Sequence, residues 1–206
     1  MNAASSTAAG ATVPVTRTGI AALAGWGTYL RILLMRFRVQ IVAWVLPLWL
    51  LVSITAPSYE SVYPSLETRT VLIEQMRKSP GTRLLYGYVP APGRLGQLLQ
   101  WETGTFLLVC TALMAILLTC RMLRGDEDEG FVEVLRATGV GRIVLFLVPM
   151  ALVWAVVGAL SVGVGGILTW QTGSIEELTV SGAWALAGTM CVAGWAFSAV
   201  AAVASQ

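Results

Sequence analysis

Residues 120–142 read CRMLRGDEDEGFVEVLRATGVGR. The stretch holds Arg121, Arg124, Arg136 and Arg142 beside Asp126, Glu127, Asp128, Glu129 and Glu133, in a chain with only 13 basic and 11 acidic residues in all. On either side the sequence loses its charge: residues 104–120 and 143–170 contain no Lys, Arg, Asp or Glu. A bilayer core is crossed by about 20 mostly apolar helical residues. A compact charged island between two such runs is a loop joining two membrane spans. That reading decides the fold class.

Working outward, residues 39–56 and 183–203 form two further apolar runs, the first with Pro47 inside it. Proline is tolerated in a spanning helix, where a kink is expected. The second span begins near Trp101. The fold predicted is an all-α membrane protein with four transmembrane helices, at about 39–56, 101–120, 143–170 and 183–203. Composition agrees: 56% of the 206 residues are apolar and 12% are charged, against about 25% charged in soluble domains. Mean hydropathy is +0.75.

The flanks set an orientation. Arg17, Arg31, Arg36 and Arg38 precede the first span, four arginines sit in the island, and residues 171–182 hold no Lys or Arg. Short cytoplasmic loops carry the excess of Lys and Arg. This places the N-terminus and residues 121–142 in the cytoplasm and residues 57–100 outside a cell membrane. Residues 1–18 are rich in Ala, Ser, Thr and Gly and lack a basic region followed by an apolar one. They read as a disordered cytoplasmic tail, not a signal peptide. Residues 19–38 are amphipathic and predict an interfacial helix in the inner leaflet. The alternative is a cytosolic extension of the first span. Outside, residues 65–78 predict a helix ended by Ser79-Pro80-Gly81, and residues 84–96, with their glycines and prolines, predict a loop.

The chain has no histidine, so the commonest general base, proton relay and metal ligand is missing. A net charge of +2 argues against a nucleic-acid partner. Cys110, Cys120 and Cys191 have no metal-like spacing and read as small buried residues. There is no Walker motif, nucleophile elbow or zinc signature. The chain is therefore expected to be no enzyme and to hold no cofactor.

Within the island, residues 125–129 suit a helix start, where carboxylates meet the positive end of the dipole. Phe131, Val134 and Leu135 then share a face at i, i+3 and i+4, flanked by Glu133 and Arg136, and Thr138-Gly139 closes the helix. The expected product is a short helix, roughly 127–137, whose apolar stripe docks in a groove of another protein. An ordinary solvated loop is the plain alternative. A divalent metal at residues 126–129 is disfavoured, because adjacent acids rarely converge on one ion.

Ala155, Ala159 and Gly163 recur every four residues in the third span, as do Gly194, Ser198 and Ala202 in the fourth. These ridges predict close packing of the two spans. Trp101, Trp170 and Trp184 lie near the outer boundary, as an aromatic belt should. Trp44, Trp49, Trp154 and Trp195 lie deeper, the first three being the candidates for a substrate pathway. Core packing is their ordinary role; lining a pathway for an apolar substrate is the functional one.

The island resembles the loop after the second span in ABC-2 type exporter permeases, most closely the actinobacterial group that exports polyketide antibiotics and other drugs. The matching positions are Arg121, Arg124, Asp126-Glu127-Asp128, Gly130 and Glu133-Val134-Leu135-Arg136-Ala137. Phe131 and Thr138 depart from the usual polar and glycine residues. Tyr29-Leu30-Arg31 and Arg36-Phe37-Arg38 resemble the basic lead-in. Tyr63-Pro64, Ser79-Pro80, Leu85-Tyr86-Gly87 and the Trp101-Glu102-Thr103-Gly104 run resemble the outer loop, and the last residues resemble the end of the fourth span. The resemblance covers the chain from Gly19 onward. It implies a coupling helix seated on a separate ABC ATP-binding subunit through Glu127, Gly130, Phe131, Glu133, Val134, Leu135 and Arg136. ATP and Mg would be bound and hydrolysed in that partner. It also implies alternating access for hydrophobic or amphipathic drugs, and a chain that continues through further spans. The rival is a non-transporting membrane scaffold or receptor that recruits a cytosolic partner through the same loop.

Overall fold

The protein was described by a computed structural model, covering residues 25–62, 65–88, 94–128, 142–175 and 177–205. Among the described residues every regular element is helical: α1 (Trp26–Val62), α2 (Leu66–Lys78), α3 (Pro80–Tyr86), α4 (Leu95–Leu99), α5 (Thr105–Asp128), α6 (Arg142–Gln171) and α7 (Val180–Ala204). A π-helical turn, Gln100–Gly104, joins α4 to α5. Four stretches are long and apolar enough to cross a bilayer: Trp26–Tyr59, Leu95–Arg124, Ile143–Gln171 and Val180–Ala204. The chain is an all-α membrane protein.

The first span differs from expectation. Among the described residues, 26–38 are the start of one 37-residue helix, about 55 Å long at 1.5 Å per residue, which is the alternative of an extended first span. The cause is visible in its buried face. Tyr29, Leu33, Phe37, Val45, Leu48, Val52, Ala56 and Tyr59 are buried, and Ile41 is packed against the same core. Their spacing of three and four continues one stripe through the expected boundary at residue 38, and no breaker stands there. The opposite face leaves Val39, Val42, Leu46, Leu50 and Ile54 exposed.

The second span, Leu95–Arg124, is 30 residues long and begins six residues before and ends four after the expected 101–120, while the third and fourth exceed expectation by a few residues. The third is a single unbroken helix of 30 residues despite Pro149 and the glycines at 163, 165 and 166. Residues 84–86 and 95–96, expected in a loop, are helical, and Pro80, expected in the stop after residue 78, begins a new helix. Pro80 opens α3 at a position where its missing N–H costs nothing. Gly87, at φ +75°, ends it in a conformation that favours glycine.

α7 packs along both α5 and α6, and α6 packs along α1, while α1 barely meets α5. The spans therefore form a row, α1–α6–α7–α5, not the order of the chain. The C-terminal ends of α1 and α6 and the N-terminal ends of α5 and α7 share one end of the bundle, which α2, α3 and α4 cap. Lipid supplies no hydrophobic drive between apolar helices, so close fit and buried hydrogen bonds hold such a row together.

Small residues make that fit, with partners the sequence did not name. Gly194 faces α5 and α6: a Cβ there would lie 2.6 Å from Val157 Cγ1 and 3.1 Å from Thr111 Cγ2. Ser198, one turn on, accepts a hydrogen bond from Trp154 Nε1 at 2.9 Å. The α7 ridge thus packs as expected, but its α6 counterpart is a different face. Gly163 turns to α1, where a Cβ would overlap the Trp49 indole, and Gly165 meets Ala187 and Trp184 of α7. Ala155 and Ala159 are exposed. A β-carbon ridge at every fourth residue was the wrong choice of α6 face because Trp49 needed the space.

Candidate functional site

The charged island, residues 120–142, lies between α5 and α6, whose adjoining ends are opposite the cap. Glu127 lies in the last turn of α5, which runs through Gly125 to Asp128. Gly130, Phe131, Glu133, Val134, Leu135 and Arg136 lie outside the described residues, as does most of the expected coupling helix. Residues 125–128, expected to open a short helix, are part of α5. A single glycine costs a helix only about 1 kcal/mol, too little to stop α5 at Gly125. Arg121 and Arg124 are exposed on the same final turns.

Of the four deep tryptophans, Trp154 and Trp195 are brought together. Trp44 is half-buried against the core. Trp49 lies over Gly163, and its Nε1–H donates to the Leu160 carbonyl of α6 at 3.1 Å. Trp154 stacks on Trp195 with ring centroids 5.7 Å apart, and Trp195 Nε1 donates back to the Trp154 carbonyl at 3.2 Å. An apolar groove of about 280 Å³ between α1 and α6 includes Trp49 but none of the others. Trp49 and Trp154 tie helices together at separate interfaces.

The capped end carries the densest polar chemistry among the described residues, and sequence reasoning missed it. Arg69 of α2 is 4% exposed. Its Nη1 lies 2.6 Å from Glu177 Oε2 in the α6–α7 loop, and the same oxygen accepts the Leu95 N–H at 2.8 Å. Burial works to raise the Glu177 pKa. The Leu95 N–H, the Arg69 hydrogen bond and charge, and the charge of Arg94 outweigh it and hold the carboxyl below its ordinary value. The Tyr59 hydroxyl of α1 donates to Glu102 in the π-helical turn. Gln171, the last residue of α6, donates to the Ser53 carbonyl of α1 at 3.0 Å. That carbonyl lacks its usual helical donor because residue 57 is proline. Three polar ties thus lock α1, α2, α4 and the α6–α7 loop into one cap. Only Pro57, read as a deleted donor, signalled any of them in the sequence.

The exposed tryptophans follow the belt pattern. Trp170 is 86% and Trp184 46% exposed, both at the capped end, while Trp101 is 8% exposed beneath the cap.

Taken together, four apolar helices with a polar cap at one end and a charged loop at the other define a multi-pass membrane protein. The sequence is similar to that of a multidrug efflux system permease protein of Mycobacterium tuberculosis, 32% identical over 179 residues. The match covers 86% of this chain and 31% of that protein, so the chain spans about a third of the relative's length. No family model matches the chain.

Proposed function

We propose that the chain acts as a permease segment of an ATP-driven exporter of apolar or amphipathic drugs, in the ABC-2 type group that exports antibiotics. The observation that carries this reading is the 32% identity, over most of this chain, to a protein named as a multidrug efflux permease. Four helices of spanning length support it. The helix pair α5–α6 delivers the charged loop 121–142 to the end away from the cap, where a separate ATP-binding subunit would dock on Phe131, Val134 and Leu135. The cap then faces outward, and the N-terminus lies in the cytoplasm of a cell whose plasma membrane holds the protein.

The test is co-purification of the full natural permease with its candidate ATPase, with and without Glu133→Arg plus Leu135→Asp. The reading expects the paired substitution to abolish both the complex and drug-stimulated ATP hydrolysis. Unchanged complex and unchanged hydrolysis would overturn it. A stable complex with no drug dependence in the unsubstituted protein would favour the scaffold.

A further inference from the structure

Ala155 and Ala159 of α6, expected to pack against α7, are exposed. Ala159 and Val156 instead form one wall of the groove of about 280 Å³ whose other wall is Val42, Val45, Leu46 and Trp49 of α1. The Trp49 indole N–H is already given to the Leu160 carbonyl, and the other lining side chains are apolar. The groove therefore suits an alkyl chain and discriminates against a polar guest. Val42 and Leu46 are exposed along its rim, so it opens toward lipid.

The inner end of this groove is charged. Arg31 and Arg38 stand two heptads and one heptad before Val45, which puts them on the same side of α1. Arg38, Val42, Val45 and Trp49 follow one another at i, i+4, i+7 and i+11. Both arginines are exposed. The first acid in the chain is Glu60, so α1 supplies no counter-charge near them. Arg38 also lies deep. α1 and α6 run parallel, and Trp49 meets Leu160; counting 18 residues back from each puts Arg31 level with Arg142, the start of α6. Arg38 is about 10 Å further in at 1.5 Å per residue, beside turns of α6 that carry no polar side chain. An exposed arginine there is costly unless its head reaches back toward the interface and meets an anion. From Arg38 to Trp49 is about 16 Å, the depth of one leaflet in a hydrocarbon core about 30 Å thick.

We propose that this edge of the bundle binds one anionic phospholipid in the leaflet away from the cap. Arg38 and Arg31 hold its phosphate, Arg38 through the paired N–H groups of its guanidinium, and one acyl chain lies along the groove as far as Trp49. A zwitterionic lipid brings a cation to the same two arginines and is disfavoured. The site needs the membrane-spanning fold but neither the efflux reading nor the proposed orientation.

The probes are phosphatidylglycerol and phosphatidylcholine, each with a photoreactive diazirine on one acyl chain. Each is added in trace to the full natural permease in phosphatidylcholine nanodiscs, and adducts are mapped by peptide mass spectrometry. Phosphatidylglycerol should label residues 41–49 or 156–159 at least about fivefold more than phosphatidylcholine, relative to adducts on other spans. Arg38→Gln should lower that labelling about five- to tenfold, the loss of one charge-assisted hydrogen bond, and Arg38→Lys should restore part of it. Arg124→Gln removes the same charge from an exposed site on α5 and should change nothing. Val42→Trp, on the exposed rim, should block groove adducts, with an unchanged unfolding midpoint showing that the fold is intact.

Groove adducts that form equally with both lipids, or that ignore Arg38→Gln, would overturn the site. An equal loss with Arg124→Gln would also overturn it, because net charge alone would then explain the preference. So would a groove without adducts while other spans are labelled, because another part of the permease would then cover it.

Discussion

Replacing Gly163 by alanine probes how α1 is held to the bundle. The Cβ would overlap the six-membered and pyrrole rings of Trp49, and Trp49 cannot retreat without losing its 3.1 Å bond to the Leu160 carbonyl. Overpacking a well-filled interface costs about 1–3 kcal/mol. Losing a hydrogen bond between membrane helices adds about 0.6 kcal/mol. Alanine returns up to about 1 kcal/mol of helix propensity, so the net loss is roughly 1–3 kcal/mol. Gly158 and Gly166 on the same helix have no atom within 4 Å of a built Cβ and serve as controls; alanine there should be neutral or stabilise by up to about 1 kcal/mol. The assay is SDS-titrated unfolding of the purified protein in mixed micelles. Gly163→Ala should unfold at lower SDS than Gly158→Ala, and the penalty should vanish in a Trp49→Ala background, where the indole is gone. Equal unfolding of Gly163→Ala and Gly158→Ala, within about 0.5 kcal/mol, would refute the packing of Trp49 into the Gly163 notch.

Other outcomes follow from the same geometry. Gly194→Val should destabilise more than Gly188→Val by the same unfolding measurement, because only Gly194 sits against Val157 and Thr111; equal effects would contradict the α5–α7–α6 seam. Glu177→Gln removes the charge facing buried Arg69 and should expose α2 to hydrogen exchange, while α6 and α7 stay protected. The pH dependence has a definite sign. Glu177 titrates below its ordinary value when folded, so its stabilisation is present above the unfolded pKa and is lost only as pH falls through the depressed folded value. Wild-type α2 protection should be full above the ordinary carboxylate range and decline progressively as pH falls from there through the depressed folded value, and a loss above that range would contradict the Arg69–Glu177 tie. For the proposed orientation, a cysteine at Thr172 should label from outside intact cells and one at Gly125 should not; the reverse pattern would invert the topology.

Hydropathy made the spans legible. Long runs without charge can neither be solvated as loops nor satisfy their backbone in lipid except as helices, so four helices followed from composition and run length alone. The continuity of α1 was also written in the chain, as a stripe of every third or fourth residue from Tyr29 to Tyr59 that crosses the expected boundary. The boundary was drawn instead from the change in charge density at Arg38, which says where polarity ends and not where the helix does.

Helix order and the polar cap were not legible. Apolar spans with nearly uniform hydrophobicity offer no marked face, so the sequence cannot say that α1 packs on α6 while α5 and α7 run side by side. Gly163 is small in either of two interfaces, and only the position of Trp49 decides which one it serves. Nothing local in the sequence links Arg69 to Glu177 or Tyr59 to Glu102, because the partners lie 108 and 43 residues apart. Trp101 read as a belt residue, and only the π-helical turn and the cap above it show that it is buried with an unused donor. The sequence by itself determined that this protein spans a membrane four times and gathers its charge in the 121–142 loop, since both depend on local free energies of transfer. Which helices touch, which charges pair and where a groove opens depend on contacts between distant residues, and the tertiary structure alone decided them.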